Sequence, residues 1–370
     1  MKALCNREGL LAGFGMVSMV VPARSPKPIL QNVKLDAAEE GSTLLATDLE
    51  VAIRYRVLGV KVDRPGAVVL PTQRFGQILR SLGDEELALE VDAEHVLVRG
   101  LHAQFKLPTE DATLFPEVPD FAAAAYHVLS AADLRRGIRR TVFATDLEST
   151  RYALGGVLFE LKDDRLTLVG TDGRRLARQV LPADVEGKPK PPEGQPVVPV
   201  KALKLLERNL QDDDPPVHIA FQGNHVLIRT ESAVIYSRLV EGRYPRYQDV
   251  FPAQVEIRVP LEAGSLLKAT EQAAIVTSEE SRGVDFSFEP GVLRLTSQAP
   301  DQGSSDIELP IAYEDRAVGI TFDPRYLVDA MKTLDESAPV TAELIDSRNA
   351  AVFKTEDDYT YVVMPLTRER

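Results

Sequence analysis

The chain has 370 residues, 44% apolar and 27% charged, with 43 Lys and Arg against 56 Asp and Glu, a net charge of −13. That composition fits a globular protein of two or three domains and excludes a disordered chain or a membrane protein. The single cysteine, Cys5, excludes a disulfide framework and a cysteine-based zinc cluster, and it points to the cytoplasm.

The first predicted element is a helix. Lys2 and Arg7 precede an apolar stretch at 10–21 that has the length of a signal-peptide core but is too short to span a bilayer. Leu10, Phe14, Val17 and Val21 fall at i, i+4, i+7 and i+11, the spacing of an amphipathic core helix. Alternating apolar and polar residues then predict strands at 51–57 and 87–91. The same pattern returns at 166–169, 217–221 and 292–295.

Self-comparison organises these elements. Residues 69–82 (VLPTQRFGQILRSL), 197–210 (VVPVKALKLLERNL) and 321–334 (TFDPRYLVDAMKTL) align without gaps, each reading as a strand end followed by an amphipathic helix. In the third, Asp323 is a natural N-cap and Pro324 the first helical residue. Leu44-Leu45-Ala46-Thr47-Asp48 recurs as Leu168-Val169-Gly170-Thr171-Asp172. His95-Val96-Leu97-Val98-Arg99 recurs as His225-Val226-Leu227-Ile228-Arg229, and Leu10, Leu134 and Leu266 each open a helical stretch. The fold class is therefore α+β, three repeats at 1–122, 123–253 and 254–370, each with two helices on antiparallel sheet. The joints lie at 117–125 and 251–256, and the Pro- and Gly-rich 183–196 reads as a solvated loop.

Charge is unevenly divided, at −4, +2 and −11 for the three repeats. On the repeated helix, Phe75, Ile78, Leu79 and Leu82 form the apolar face, and Gln73, Gln77 and Arg80 point away. The positions matching Gln73 and Arg80 hold Lys201 and Arg208, then Arg325 and Lys332, so five of these six i, i+7 positions are basic in an acidic chain. Arg136, Arg139 and Arg140 lie opposite Leu134 and Ile138 in the same way. One such helix is ordinary surface. Recurrence in three repeats points to a polyanion whose backbone is contacted without base readout, since no aromatic accompanies these bases.

Catalytic signatures are absent. The sequence has no phosphate-binding loop, no nucleophile elbow and no HExxH. Its histidines, His95, His102, His127, His218 and His225, lack metal-ligand spacing. Thr171-Asp172-Gly173-Arg174 reads as a hairpin turn rather than a metal site, and Asp212-Asp213-Asp214 as a solvated loop. No catalysis, metal or cofactor is expected.

Together these features resemble the β subunits of bacterial DNA polymerase III, the sliding-clamp family. The resemblance rests on Pro22-Ala23-Arg24-Ser25-Pro26-Lys27-Pro28-Ile29-Leu30, Thr171-Asp172-Gly173-Arg174-Arg175-Leu176-Ala177, Glu241-Gly242-Arg243-Tyr244-Pro245-Arg246-Tyr247, Ser281-Arg282-Gly283-Val284 and Tyr361-Val362-Val363-Met364-Pro365-Leu366. It covers essentially the whole chain.

The resemblance implies a head-to-tail homodimer closing as a six-domain ring around duplex DNA, a processivity factor without intrinsic catalysis. The DNA-facing residues it implies are Arg24, Arg80, Arg151 and Lys201, with Arg74, Arg208 and Arg282 beside them. Arg136, Arg139 and Arg140 join them from the helix pattern. A groove for linear motifs of the polymerase, the clamp loader and other partners would comprise Leu154, Thr171, Gly173, Arg174, Arg175, Leu176, Pro245, Val250, Val362, Val363, Met364, Pro365 and Leu366. Arg348 and Asn349 would stand on its edge. The subunit joint would set Phe105 and Leu107 against Ile275 and Val276, with Arg74 meeting acidic residues opposite. Arg348, in place of a typically apolar residue, and the extension 367–370 depart from the family pattern. The alternative is a three-repeat peptide-binding scaffold that never encircles DNA.

Overall fold

The computed structural model describes residues 1–370 except 93, 150–152, 190, 191, 193, 253, 279–281 and 367–370. The described residues contain six α-helices: α1 (Arg7–Ser18), α2 (Thr72–Ser81), α3 (Ala131–Val142), α4 (Val200–Asn209), α5 (Ala263–Ala274) and α6 (Pro324–Met331). None is long and apolar enough to cross a membrane. The chain forms two compact units, Met1–Arg135 with Ala183–Gly194 and Lys201–Leu239, and Arg136–Pro182 with Gln195–Val200 and Val240–Arg370.

In the first unit, Leu10, Phe14 and Val17 are buried along α1, as their spacing requires, while Val21 lies beyond the helix end. The Phe14 and Phe75 rings meet at 5.1 Å and join α1 to α2. A Cβ at Gly13 would come within 2.8 Å of the Tyr55 ring, so glycine lets α1 lie directly on the Val51–Val57 strand. Gly137 of α3 does the same in the second unit, where a Cβ would meet Leu168 and Leu181 at 2.8 and 2.9 Å. The two glycines occupy equivalent places in their repeats.

All strand pairs are antiparallel, and each large sheet is shared by two repeats. The first unit's nine-stranded sheet runs Asp184–Glu186, Tyr126–Leu129, Val217–Gln222, His225–Arg229, Ala233–Arg238, Val51–Val57, Ser42–Thr47, Asn32–Ala37, Gly66–Pro71. Five of its strands come from the second repeat and four from the first. They join where Ile235 pairs with Ile53. The second unit's eight-stranded sheet runs Val197–Pro199, Gly156–Lys162, Arg165–Thr171, Arg175–Pro182, Tyr359–Val363, Ala351–Lys354, Pro339–Leu344, Ile257–Glu262. Four strands come from each of the second and third repeats, joined where Tyr361 pairs with Ala177.

Two smaller sheets remain. The first unit has five strands in the order Val60–Arg64, Lys2–Asn6, Glu86–Val91, His95–Arg99, Gln104–Pro108. The second unit has four, Gly303–Pro310, Val292–Ala299, Val284–Glu289, Val318–Phe322. Gln104–Pro108 and Gly303–Pro310 are therefore edge strands.

The sequence reading of 183–196 needs correction. Asp184–Glu186 is a strand that pairs with Tyr126–Val128 at the end of the nine-stranded sheet. Its Asp and Glu masked strand character, and an edge strand carrying charge is protected against further pairing.

Candidate functional site

The site in the second unit starts from the turn after the Arg165–Thr171 strand. Thr171 Oγ1 donates to the Arg175 carbonyl at 2.6 Å, and Asp172 Oδ1 accepts from the amides of Arg174 and Arg175 at 2.9 and 3.0 Å. Gly173 sits between them at φ +85°, in the left-handed region where glycine is favoured. Asp172 thus spends its carboxylate on the turn and on Arg175 Nε, 3.0 Å from its other oxygen. It holds the turn together, and among the described residues no group of three or more His, Cys, Asp or Glu side chains is placed to hold a metal ion.

Arg175 is the anchor. Its guanidinium donates to Asp329 at 2.7 Å and to the Phe143 carbonyl at 3.0 Å, and lies 4.7 Å from the Tyr326 ring centroid. Burial works against its charge, but Asp329, with Tyr361 and Asp172, more than compensates. Its pKa therefore lies above the usual arginine value. The turn is locked to the end of α3 and to α6.

Strand pairing sets the rest. Leu176 pairs with Val362, and the Met364 amide continues the ladder to the Arg174 carbonyl at 2.9 Å. Beneath them Leu154, Leu158, Val169, Tyr244, Tyr247 and Val352 form a small core. Tyr244 donates to the Val169 carbonyl at 2.8 Å and Tyr247 donates to Glu160, so both hydroxyls are satisfied. Burial raises both tyrosine pKa values, and they are neutral at physiological pH.

Above this core lies a hollow of about 230 Å³. Thr171, Gly173, Arg174, Arg175, Leu176, Pro245, Val250, Val362 and Met364 line it, together with Arg246 and Tyr247, which sequence reasoning did not assign. Their signal was the tetrad Tyr244-Pro245-Arg246-Tyr247, whose second tyrosine closes the floor. Val250 and Met364 are exposed and offer apolar surface to a ligand.

Other assigned groove residues are not in the lining. Leu154 is buried underneath, and Val363 belongs to the other core, with Ala177, because successive strand residues face opposite ways. Pro365 and Leu366 follow the strand, with the Leu366 amide bonded to the Thr321 carbonyl at 2.8 Å. Arg348 and Asn349 lie on an exposed loop organised by Asp346, which accepts both backbone amides at 2.7 and 2.9 Å.

The basic residues divide into four groups. Arg24, Arg74, Arg80, Arg139, Arg208 and Arg282 are exposed. Lys201 is engaged, its ammonium 2.9 Å from the Val20 carbonyl and paired with Asp48. Arg136 is half-buried, 3.9 Å from Asp357. Arg140 is a correction: it is buried on α3, bonded to Gln179 at 3.0 Å and Asp357 at 2.6 Å, with its guanidinium over the Tyr359 ring. A hundred-degree step placed it opposite Ile138, but the hairpin at 355–358 covers that side. Arg151 lies outside the described residues. In the third repeat, Asp323 and Glu271 pair with Arg325 and Lys332, so these outward bases are neutralised.

Of the residues assigned to the subunit joint, Phe105 and Leu107 lie in the edge strand Gln104–Pro108, and Ile275, at the end of α5, is 75% exposed.

Comparison with known proteins fits this arrangement. Sequence models of the DNA polymerase III beta subunit match in order: the N-terminal domain at residues 1–119, the central domain at 128–246 and the C-terminal domain at 248–367. The chain is 32% identical over 364 residues to the beta sliding clamp of Pseudomonas putida, covering 98% of each. It is 31% identical over 369 residues to that of Escherichia coli K12, covering 99% of this chain and all of the other. The crystal structure of the DNA polymerase III subunit beta from Pseudomonas aeruginosa superposes over the full length of both chains with a TM-score of 0.90 at 30% identity. The Bacillus subtilis sliding clamp shares the fold with a TM-score of 0.92 at 24% identity. The chain belongs to the DNA polymerase III beta-subunit family, the beta sliding clamps, which are non-catalytic processivity factors of the polymerase.

Proposed function

We propose that two copies of this chain close head to tail into a ring that encircles duplex DNA without reading its sequence and tethers the polymerase through the groove at Leu176 and Val362. Domain bounds of 1–122, 123–253 and 254–370 accompany this reading. Replication, and with it the cytoplasm, is the setting.

The carrying observation is the pair of edge strands. Both large sheets are made the same way, the last strand of one repeat pairing with the fourth strand of another: Ala233–Arg238 with Val51–Val57, and Tyr359–Val363 with Arg175–Pro182. Gln104–Pro108 and Gly303–Pro310 hold those two positions in their own repeats and have no such partner. The sheets they border have five and four strands, the same halves that make the nine-stranded sheet. A second copy supplies what each lacks.

Register transfers with the pairing. His95 opposite Pro108 matches His225 opposite Arg238, which places Phe105 at the position of Ile235. Arg165 opposite Pro182 matches Val292 opposite Pro310, which places Ser305 at that of Ala177. Phe105 of one copy therefore sits opposite Ser305 of the other, and Leu107 opposite Gly303. Ile275 and Val276 cover the helix-side face of that joint.

Inside the ring, exposed arginines such as Arg24, Arg80 and Arg208 meet phosphates, contacts that are weak, salt-sensitive and sequence-blind. Topology then supplies the retention that affinity does not. The test is retention on nicked circular DNA. The protein should remain bound to the circle and be released on linearisation. Equal retention on both would favour the scaffold that binds peptides without encircling DNA.

A further inference from the structure

Each of the two junctions between repeats carries the same kind of latch, built from different residues. In the first, the Lys201 ammonium, in the first turn of α4, donates to the Val20 carbonyl at 2.9 Å and pairs with Asp48. Val20 lies just beyond the end of α1, and Asp48 holds the turn after Ser42–Thr47 by accepting the amides of Glu50 and Val51 at 2.9 and 2.7 Å. In the second, Arg175 donates to the Phe143 carbonyl after α3, to the turn residue Asp172 and to Asp329 on α6. A cation thus ties three elements each time: the first helix of one repeat, the turn beside it and the second helix of the next. The Asp48 and Asp172 side chains are both only 18% exposed, which shields their charge pairs from water.

The joint between copies in the proposed ring has the same three elements and none of these charges. Gln73 of α2 occupies the position of Lys201, as the alignment of 69–82 with 197–210 requires. Equal helices of 12 residues set Val276, beyond α5, at the position of Val20. The register that places Ser305 at Ala177 also places Ala299 at Asp172. The parts of the second latch are neutral too, with Gly303 at Arg175 and Gln77 at Asp329. Gln73 is exposed and borders a hollow of about 390 Å³ whose wall includes Pro71, Arg74 and Pro108, so the space that a latch cation needs is present. Arg74 and Asp301, the charges beside these positions in sequence, are exposed, and a pair between them is weakened by solvent.

We propose that Gln73 and Ala299 set the strength with which two copies hold each other. They stand at the cation and carboxylate positions of the latch, and their neutrality leaves this joint to the strand ladder, its apolar contacts and solvent-screened pairs. The Gln73 amide donates to the Val276 carbonyl of the other copy, a neutral hydrogen bond about half as strong as one from an ammonium. The latched junctions within each chain stay shut while two copies part and rejoin. The inference rests on the ring reading above and adds a means of release.

Exchange of subunits between donor-labelled and acceptor-labelled full chains, followed by energy transfer at about 0.15 M salt, tests it. Gln73→Lys with Ala299→Asp supplies both latch charges and should slow exchange about tenfold. Each substitution alone should do far less, so the effect exceeds the sum of its parts, which neither misfolding nor altered net charge imitates. Ala299 is buried, and a second comparison covers the case in which Ala299→Asp does not fold. Gln73→Lys alone should slow exchange by about twofold to threefold through the Val276 carbonyl, while Gln73→Glu should speed it. A double variant that exchanges as fast as the wild type, or one rate for Gln73→Lys and Gln73→Glu, would overturn the latch and leave the ring standing. If the wild-type chain is monomeric at micromolar concentration, the ring reading itself fails and this inference with it.

Discussion

The Arg140 guanidinium meets Asp357 Oδ2 at 2.6 Å, tying α3 to the hairpin between the Ala351–Lys354 and Tyr359–Val363 strands. Gln179, bonded to both Arg140 and the Asp357 carbonyl, completes the clasp. Partial burial works to raise the Asp357 carboxyl, but Thr355 and Arg140 outweigh it and hold its pKa below the usual carboxylate value. Asp357→Ala should destabilise the protein by about 1–3 kcal/mol, less than a fully buried pair because the carboxylate is 43% exposed. A depressed carboxylate contributes stability above its unfolded pKa and loses it as pH falls through the folded value. The gap between wild type and Asp357→Ala in urea melts should therefore close below about pH 4.

The subunit joint is testable through its register. Phe105→Cys with Ser305→Cys should give a covalent dimer on oxidation, because directly opposed strand residues lie about 4.5–5.5 Å apart at Cα, within disulfide reach. Native Cys5 is buried and does not compete. Leu101→Cys with Ser305→Cys should stay monomeric on a non-reducing gel. The reverse pattern would exclude the proposed pairing.

Groove occupancy should depend on the two apolar side chains that the free protein leaves exposed. Met364→Ala with Val250→Ala should weaken partner peptides by about tenfold or more, from loss of roughly 1–3 kcal/mol of apolar burial. Because both residues are exposed, the melting temperature should stay within about 2 °C. Calorimetric titration and a thermal scan check the two halves.

DNA contact should follow exposure instead of sequence pattern. Arg80→Glu with Arg208→Glu should reduce loading onto nicked circles and flatten its salt dependence, as lost phosphate contacts require. Arg140→Lys should leave that salt dependence unchanged, since the buried guanidinium faces Asp357. Lys201→Glu should also lower stability, because Lys201 ties to Val20 and Asp48.

Much of this was legible in the sequence, for reasons that particular residues make plain. Leu10, Phe14 and Val17 declared α1 by spacing, Asp323 caps α6 by accepting the Arg325 amide, and Asp172-Gly173 marks the turn that shapes the groove. What escaped was set by distant pairing. Arg140 looked exposed because the hairpin that covers it is 217 residues away. Val363 looked like a groove residue because a motif does not reveal which of two neighbours faces the core. Asp184–Glu186 looked like loop because its strand character comes from Tyr126–Val128.

The shared sheets have a mechanical consequence. The first and second repeats are linked in sequence by 117–125, yet Ala233–Arg238 is laddered to Val51–Val57 whether or not that link is intact. A chain nicked at 122–124 after folding should therefore stay in one piece, migrating as a single particle until denatured. The covalent thread guides the repeats together, and the ladder keeps them. In the proposed dimer, the contact between copies is the same ladder made with no thread at all.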